Sequence, residues 1–420
     1  MDSKHTKVVT KGNAARKCTS WIESFIKHTD NIESAEIFRR WAAIGTIAAT
    51  LECKVWITTS APLYPNLYVF LIGHPAVGKT RTIAAASKFV LELPEPHLAP
   101  TSMTMASLTD CLVESKRFVQ RLPKEPLEYN SMFIMADELS AFMHKWEEDI
   151  VGGLTTFYDV ETLPYGQHRR GKDIRIKIKK PQLNILVGST PSNLVRFMPD
   201  VAWDQGLTSR VIMVFSDERP MGDIFADTAR RLPADMVTDL KVINHLCGQF
   251  TYEDGYKTAV NNWRALGQQP SPNHPKLTHY NSRRLTHLLK LSMVSAVDRG
   301  NKLHLTTTDF NRAMGWLHQA EDFMPDIFKA GAVGADSRAI DEIHHYIIAS
   351  DRGKGVSETI IINFARGLIP IHSVGRVIQV LSDAGLIRAI GMDKLGVKYY
   401  KPILGKPDLK VVSEREEGQQ

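Results

Sequence analysis

Cysteine is scarce in this sequence of 420 residues, which contains four cysteines and no C-x-x-C pair. We therefore expect neither a structural zinc site nor a disulfide framework, and a reducing compartment suits the chain. Long apolar runs are also missing, since no stretch of about 18 apolar residues occurs that would predict a membrane-spanning helix. The basic N-terminus is followed by no apolar signal core, so we expect a cytoplasmic protein with no membrane partner.

Charge of one sign is only mildly in excess, with 52 Lys and Arg against 46 Asp and Glu, a net charge of +6. This balance permits a nucleic-acid partner without requiring one. Hydrophobic residues make up 43% and charged residues 23%, which is the composition of an ordinary globular protein. The length predicts two or three domains.

Apolar segments that alternate with helical patterns dominate the first half of the chain. Strands are predicted over Asn66 to Ile72, from about Ser131 into two acids, over Leu183 to Thr190, and at SRVIMVF. Uniformly apolar strands are typical of a sheet buried on both faces, so the pattern predicts an α/β core of parallel strands with helices on both sides. A helical N-terminal segment is predicted over Trp21 to Leu51.

The stretch LIGHPAVGKT fits the phosphate-binding pattern G-x-x-x-x-G-K-[ST], with a predicted strand before it and a helix after it. Gly73 and Gly78 permit the tight turn that points backbone N–H groups at phosphates. Lys79 can reach the β and γ phosphates, and Thr80 can offer a hydroxyl to Mg²⁺. The predicted nucleotide-binding residues are Gly73, His74, Pro75, Ala76, Val77, Gly78, Lys79, Thr80 and Arg81.

Two acids at the end of a buried strand form the second half of the predicted site. Asp137 is placed to hold Mg²⁺ through water, and Glu138 is placed to polarise the attacking water. The alternative is a strand that simply ends in polar residues at the surface. Together with the upstream loop, the acids favour ATP hydrolysis with Mg²⁺, so ATP and Mg²⁺ are the expected ligands.

A polar turn follows the next predicted strand. Ser189, Thr190 and Asn193 are candidates to contact the γ-phosphate or the attacking water, and we place Asn193 in the catalytic set. Ordinary turn chemistry explains the same residues equally well.

Arg210 stands at the mouth of a buried strand, where an arginine is costly unless it is paired or exposed at an interface. An arginine finger that contacts the nucleotide of a neighbouring subunit would explain it, and that role implies an oligomeric ring. A surface salt bridge is the alternative.

The segment LTSRVIMVFSDE resembles the L-S-R-F-D segment of minichromosome maintenance helicases, in which the arginine is the finger. Similarly, RRLTHLLKL resembles that family's lid motif, which implies that Arg283 is the sensor that contacts the γ-phosphate. The sequence departs from the family at GHPAVGKT and at Thr286, and no N-terminal oligonucleotide-binding domain is expected.

The chain is still more similar to the ATPase domains of phage and plasmid primase-helicases. It shares with them the segment before the phosphate-binding loop, the strand that ends in Asp-Glu, the G-x-T-P turn and the G-L-x-x-R-V segment. This resemblance implies an AAA+ ATPase that forms a homo-oligomeric ring, a hexamer in the simplest case, in the cytoplasm of a host cell. The regions predicted are an N-terminal helical collar (1–60), a P-loop ATPase core (61–220), a helical lid (221–330), a winged helix (337–404) and a disordered tail (405–420).

A basic segment, Pro164 to Gln182, lies between the acidic strand and the polar turn, and alternates as a strand from Asp173. A basic face of this kind can follow a single-stranded DNA backbone in a ring pore, although a lysine-guarded edge strand is the alternative. In the winged helix, Arg376 and Lys394 are candidates to grip duplex DNA, with protein docking as the alternative. The predicted nucleic-acid contacts are Arg169, Arg170, Lys172, Arg175, Lys177, Lys179, Arg376 and Lys394.

Two functions fit this set of features. The first is a ring-forming ATPase that translocates on or unwinds DNA in the replication of a phage, plasmid or other mobile element. The second is an ATP-driven origin-binding protein or helicase loader that does not unwind processively. A protein remodeller is less well matched, because the sequence offers no aromatic pore loop as clear as the basic segment.

Overall fold

The computed structural model of the protein shows an α/β fold and divides the chain into two compact units, Met1–Gly331 and Ala332–Gln420. The residues that the structure describes are 7–8, 16–100, 102–121, 124–143, 148–160, 178–198, 203, 206–221, 231–300, 302–369, 371–392 and 396–403.

The described α-helices alternate with strands in the first 220 residues and then predominate. They are α1 (Trp21–His28), α2 (Glu36–Leu51), α3 (Lys79–Leu91), α4 (Met105–Glu114), α5 (Leu139–Phe142), α6 (Glu148–Asp159), α7 (Pro191–Phe197), α8 (Ala234–Asn244), α9 (Asp254–Ala265), α10 (Thr278–Gly300), α11 (Thr307–Glu321), α12 (Met324–Ser350), α13 (Glu358–Ala365) and α14 (Ile371–Asp383).

The described strands form one large sheet and several small ones. They are β1 (Lys7–Val8), β2 (Val55–Thr58), β3 (Pro62–Leu63), β4 (Tyr68–Ile72), β5 (Lys116–Arg121), β6 (Lys124–Ala136), β7 (Pro181–Ser189), β8 (Val211–Phe215), β9 (Gly248–Gln249), β10 (Thr251–Tyr252), β11 (His304–Leu305), β12 (Val356–Ser357), β13 (Ile387–Met392) and β14 (Lys398–Pro402).

The large sheet has the strand order β1-β5-β6-β7-β4-β8. Strands β6, β7, β4 and β8 run parallel to one another, whereas β5 is antiparallel to β6. The expectation of a purely parallel sheet is therefore wrong, because so short a connection between β5 and β6 can join only antiparallel strands. Every residue of β4, β7 and β8 is buried, as the uniformly apolar segments predicted.

The predicted N-terminal helix is broken into α1 and α2 by a turn over residues 29–35. Asp, Asn and Ser in this turn favour turns because their side chains compete for backbone hydrogen bonds. The expectation of helix throughout Trp21 to Leu51 is therefore wrong over the turn, which lies against the phosphate-binding loop.

The N-terminal segment is tied to helices that follow the sheet in sequence. The buried Asp239 carboxylate of α8 accepts hydrogen bonds from the backbone N–H groups of Lys17 and Cys18. On α10, the buried Asp298 accepts from the Ser20 hydroxyl and the Ile22 N–H. The predicted collar, core and lid consequently all lie in one compact unit.

In the region predicted to be a helical lid, the structure has the helices α10 and α11, as expected. The predicted lid is not helical throughout: α8 ends at Asn244, and β9 begins at Gly248, where φ is +148°. Helix α9 was not predicted, because its pattern is weakly apolar and only Tyr256 and Trp263 are buried.

The second compact unit has its own apolar core, which includes Ile343, Ile361, Leu381 and Ile387. Its antiparallel sheet has the order β12-β14-β13, and α13 and α14 lie between β12 and β13 in the sequence. The small-residue stretch from Ala330 to Ser337, where the predicted lid meets the predicted winged helix, lies within α12. Alanine is the strongest helix former, which explains why this stretch is helical.

Within the described residues, no helix is both long enough and apolar enough to cross a membrane.

Candidate functional site

The phosphate-binding loop and both acids meet at one edge of the large sheet, where β4, β6, β7 and β8 end. We call this the carboxyl edge. Leu71 of β4 pairs with Gly188 of β7, and Ala136 of β6 pairs with Val187. The loop that follows β4 and the acids that follow β6 are therefore held at nearly the same level, on either side of β7.

Two glycines shape the loop. Gly78 has φ of +81°, and a Cβ atom there would lie 2.1 Å from the backbone oxygen of Glu33 in the turn over residues 29–35. At Gly73, a Cβ atom would lie 2.5 Å from the Ser216 oxygen. No side chain caps the N-terminus of α3, whose N-cap is Gly78, so the first turn presents its N–H groups without a side-chain acceptor.

The Lys79 side chain is held by backbone carbonyl groups of the loop. Its Nζ donates to the carbonyl oxygens of Gly73, at 2.7 Å, and His74, at 2.9 Å. Burial lowers the pKa of the Lys79 ammonium, and the negative charge of Glu138 partly opposes this effect.

The remaining loop residues differ in exposure. His74 Nε2 lies 3.6 Å from Asp217 Oδ1, and Arg81 is bound to Glu33 of the α1–α2 turn at 2.9 Å. Pro75 and Ala76 are exposed, and Val77 is buried. Arg81 is thus occupied by an ion pair on the outer side of α3, whereas Lys79 points back into the loop.

Thr80 and Asp137 are the residues that the sequence predicts to hold Mg²⁺. Both are exposed, one on the first turn of α3 and the other directly after β6. Among the described residues, no group of three or more His, Cys, Asp or Glu side chains is arranged to hold a metal. A site with one carboxylate and one hydroxyl still fits Mg²⁺, which takes its other ligands from water and substrate phosphates. Partial burial raises the pKa of Asp137.

Glu138 is contacted by two of the three polar candidates. The Ser189 hydroxyl donates to Glu138 Oε1 at 3.2 Å, and Asn193 Nδ2 donates to the same oxygen at 3.5 Å. The backbone oxygen of Ser189 also accepts from the Gly73 N–H at 3.2 Å. Thr190 instead caps α7 by accepting from the Asn193 N–H at 3.2 Å.

A cleft of about 770 Å³ opens beside the loop, where β8 ends. Its walls come from α2, from the residues after β8, and from α11 and the start of α12. The Ser216 N–H donates to the Ile72 oxygen at 3.1 Å, which places this wall directly against the loop. Its lining includes Ile37, Arg40, Gln319 and Phe323, the last of which is 50% exposed.

Arg210 lies at the opposite edge of the sheet, which we call the amino edge because β4 and β8 begin there. Val211 pairs with Tyr68 and Phe215 with Ile72, so the two edges are separated by at least about 13 Å of strand. Arg210 is buried, donates to the Gly206 oxygen at 2.7 Å, and is ion-paired with Asp159 at the end of α6.

Arg283 lies at this same amino edge. Its guanidinium donates to the other oxygen of Asp159 at 2.9 Å. Both arginines that the resemblance assigned to the γ-phosphate are therefore remote from the loop of their own chain. Hydrogen bonds from these arginines outweigh the opposing effect of burial and lower the pKa of Asp159.

Two buried basic residues of α10 contact the segments that lead into β8 and β4. His287 Nε2 lies 3.0 Å from the Ser209 oxygen, and Lys290 Nζ donates to the backbone and side-chain oxygens of Asn66. Burial lowers the pKa of His287 to about 3 and that of Lys290 well below its usual value. Neither Asp159 nor Lys290 was predicted as a site residue from the sequence, although the spacing of Arg283, His287 and Lys290 places them on one helix face.

The structure places few of the predicted nucleic-acid contacts. Arg169, Arg170, Lys172, Arg175, Lys177 and Lys394 lie outside the described residues. Lys179 is exposed and bound to Glu128 at 2.7 Å, so part of its charge is already balanced. Arg376 is exposed on α14.

Comparison with protein-family models finds no match to this chain, and comparison with curated proteins finds none either.

Proposed function

We propose that this protein is a P-loop ATPase of the AAA+ kind that works as a ring on nucleic acid. The observation that carries the ATPase proposal is the meeting of three strand ends at the carboxyl edge. They bring together the loop with Lys79, the acids Asp137 and Glu138, and the Ser189 that touches both halves. Phosphate-binding loops paired with such acids are typical of nucleotide hydrolysis.

The chemistry follows from the positions of the side chains. Thr80 and Asp137 would hold Mg²⁺, which neutralises charge on the phosphates. Glu138 accepts a proton from water as the water oxygen attacks the γ-phosphorus, and the bond to the departing ADP breaks. Ser189 and Asn193 orient the Glu138 carboxylate for this task through their hydrogen bonds.

The cleft beside the loop is the proposed position of the nucleoside. Its volume of about 770 Å³ lies within the range of small-molecule sites. Ile37 and the half-exposed Phe323 can contact the faces of a base, and Arg40 and Gln319 offer polar groups at the walls. Phosphates in the loop would therefore place the base between α2 and the helices that follow the sheet.

The placement of Arg210 and Arg283 supports hydrolysis between subunits. Neither side chain can reach across the sheet to the loop of its own chain, so a phosphate contact requires a second copy. The contact would join the amino edge of one copy to the carboxyl edge of the next. Such head-to-tail contacts close into rings when the rotation permits.

The proposal of a DNA helicase or translocase rests on the resemblance to helicase ATPases and on the basic segment that follows α6 in sequence. The element order of the second unit supports a winged helix, with α14 as the helix that carries the exposed Arg376. An origin-binding or helicase-loading ATPase is the second candidate, because the same basic segment and helix would serve it equally.

Turnover of ATP tests the proposed site. We expect Lys79→Ala to abolish ATP hydrolysis, since the ammonium would no longer neutralise the phosphates. Glu138→Gln should slow turnover roughly 10²- to 10⁴-fold while nucleotide binding persists, because only the base is lost. The matched control is Lys88→Ala, which removes an exposed lysine from the same helix and should leave turnover unchanged.

Turnover that survives Lys79→Ala would contradict the assigned site. Strand displacement on a forked DNA separates the two candidate functions: a helicase displaces a strand in an ATP-dependent reaction, and a loader does not. ATP turnover that neither DNA nor RNA stimulates would contradict both.

A further inference from the structure

One carboxylate at the amino edge serves two arginines from different parts of the chain. Asp159 ends α6, Arg210 precedes β8, and Arg283 lies on α10. Each arginine takes a different oxygen: Arg210 binds Oδ2 and Arg283 binds Oδ1. The sequence separations are 51 and 124 residues, so the fold itself assembles this arrangement.

The charges in this cluster do not balance. Two guanidinium groups face a single carboxylate, and the His287 beside them is uncharged near neutral pH because burial lowers its pKa to about 3. Burial likewise disfavours the charged form of Lys290, whose pKa falls well below its usual value. The two guanidinium groups and the one carboxylate thus leave at least one positive charge, which an anion can satisfy.

The Arg210 guanidinium also has unused hydrogen-bonding capacity. Its Nε is buried and has no hydrogen-bond partner among the described residues, although Gly206 and Asp159 bind the two terminal nitrogens. Side-chain exposure rises from 8% for Arg210 to 29% for Arg283 and 32% for Asp159. The cluster therefore opens to solvent on the side where Asp159 and Arg283 lie.

We propose that Asp159 is a positioning residue that sets Arg210 and Arg283 toward one anion, the triphosphate held at the carboxyl edge of a second copy of this chain. This inference rests on the proposed function and deepens it. A carboxylate that binds two guanidinium groups at once fixes their separation and planes before the anion arrives. The expected result is faster phosphate transfer in the adjacent copy with no effect on nucleotide binding in its own.

Asp159→Asn is the decisive variant, because it keeps the size of the side chain and removes its charge. We expect kcat for ATP to fall about a hundredfold, the usual cost of misplaced catalytic groups, with KM changed by less than about twofold. Asp159→Glu should recover part of kcat. The matched control, Asp149→Asn, changes an exposed carboxylate at the start of the same helix and should behave as the wild type. A kcat for Asp159→Asn within twofold of the wild type would overturn the proposal.

Mixing variants tests action between copies. Asp159→Asn subunits keep an intact loop, and Lys79→Ala subunits keep an intact amino edge. Neither should turn over ATP well alone, but mixed assemblies should regain turnover where the two intact edges meet. If the ATP turnover of the mixture only equals the summed turnover of the two variants measured separately, Asp159 acts only within its own subunit.

Assembly of the subunits can be measured without ATP hydrolysis, so it tests the role of Asp159 separately from the proposed ATPase activity. With a non-hydrolysable ATP analogue, we expect analogue-dependent assembly of the full chain, measured by sedimentation, to be weakened at least tenfold by Asp159→Asn. A wild type without Lys79-dependent turnover would refute the proposed ATPase. Equal assembly by the wild type and Asp159→Asn would instead refute the role of Asp159.

Discussion

At the scale of single residues, Ser189 joins the two halves of the candidate site through two of its own atoms. Its backbone oxygen accepts from Gly73 at the start of the loop, and its hydroxyl donates to Glu138. The neighbouring Thr190 is committed to capping α7. From the sequence, Ser189, Thr190 and Asn193 were equivalent candidates, and only the hydrogen bonds distinguish them.

His287 provides a prediction about acid stability. Burial lowers its pKa to about 3, against about 6.5 in an unfolded chain. Between these values the unfolded state binds the extra proton, so stability falls as pH falls from 6.5 toward 3. From pH 7.5 to 5.0, this histidine should cost the folded state about 2 kcal/mol.

Urea unfolding at the two pH values measures this effect. His287→Gln should reduce the pH dependence of the unfolding free energy by about 2 kcal/mol, because the glutamine does not titrate. The control is His279→Gln, an exposed histidine near the start of the same helix, which should keep the dependence of the wild type. Equal pH dependence in wild type and His287→Gln would show that this histidine is not buried in its neutral form.

At the scale of elements, the turn between α1 and α2 and the phosphate-binding loop are fitted to each other. Ser34 Oγ lies 2.6 Å from Thr82 Oγ1, and Arg81 is paired with Glu33. The close approach of this turn explains why Gly78 has no room for a side chain. The loop geometry therefore depends on a turn that precedes the loop by about 45 residues. This turn is not part of the G-x-x-x-x-G-K-[ST] motif.

Gly78→Ala tests this dependence. We expect a loss of stability of about 1–3 kcal/mol and a large loss of nucleotide affinity, because φ is +81° and the new Cβ would overlap the Glu33 oxygen. Thermal unfolding and binding of a fluorescent nucleotide report the two effects. In the control, Gly152→Ala, the added Cβ meets nothing within 4 Å inside α6, so stability should stay the same or rise. Normal nucleotide affinity in Gly78→Ala would contradict the fitted arrangement.

The elements that the sequence predicted correctly are those whose signal is local. Strands β4, β7 and β8 are apolar throughout, and α3 follows the loop motif directly. The β5–β6 hairpin was missed because its strands carry many charged residues, such as Lys116 and Glu128, which bind each other at 2.7 Å. Such cross-strand pairs become visible only when the register is known.

At the scale of the whole molecule, the chain consists of two compact units with separate apolar cores. The residues of the candidate site that the structure describes all belong to the first unit. Leu381 lies at the centre of the second core and is fully buried. The separation of the cores predicts that damage to one should leave the other largely intact.

We expect Leu381→Ala to destabilise the second unit by about 2–5 kcal/mol, the usual cost of such a cavity, without lowering ATP turnover in the absence of nucleic acid. Hydrogen exchange of the full chain should show lost protection in the second unit alone. The control, Val380→Ala, removes a neighbouring side chain that is 41% exposed and should have little effect. Protection lost equally in both units would mean that they unfold together.

The sequence by itself determined the loop motif of Gly73 to Thr80, the acids that follow β6 and the buried strands, because each depends on residues that are contiguous or regularly spaced. The tertiary structure decided the contacts of Glu138, the turn against Gly78 and the sharing of Asp159 by Arg210 and Arg283. These depend on side chains that are between 44 and 124 positions apart along the chain, which no local pattern specifies. Only the packing of the sheet and its helices brings such distant groups within hydrogen-bonding distance.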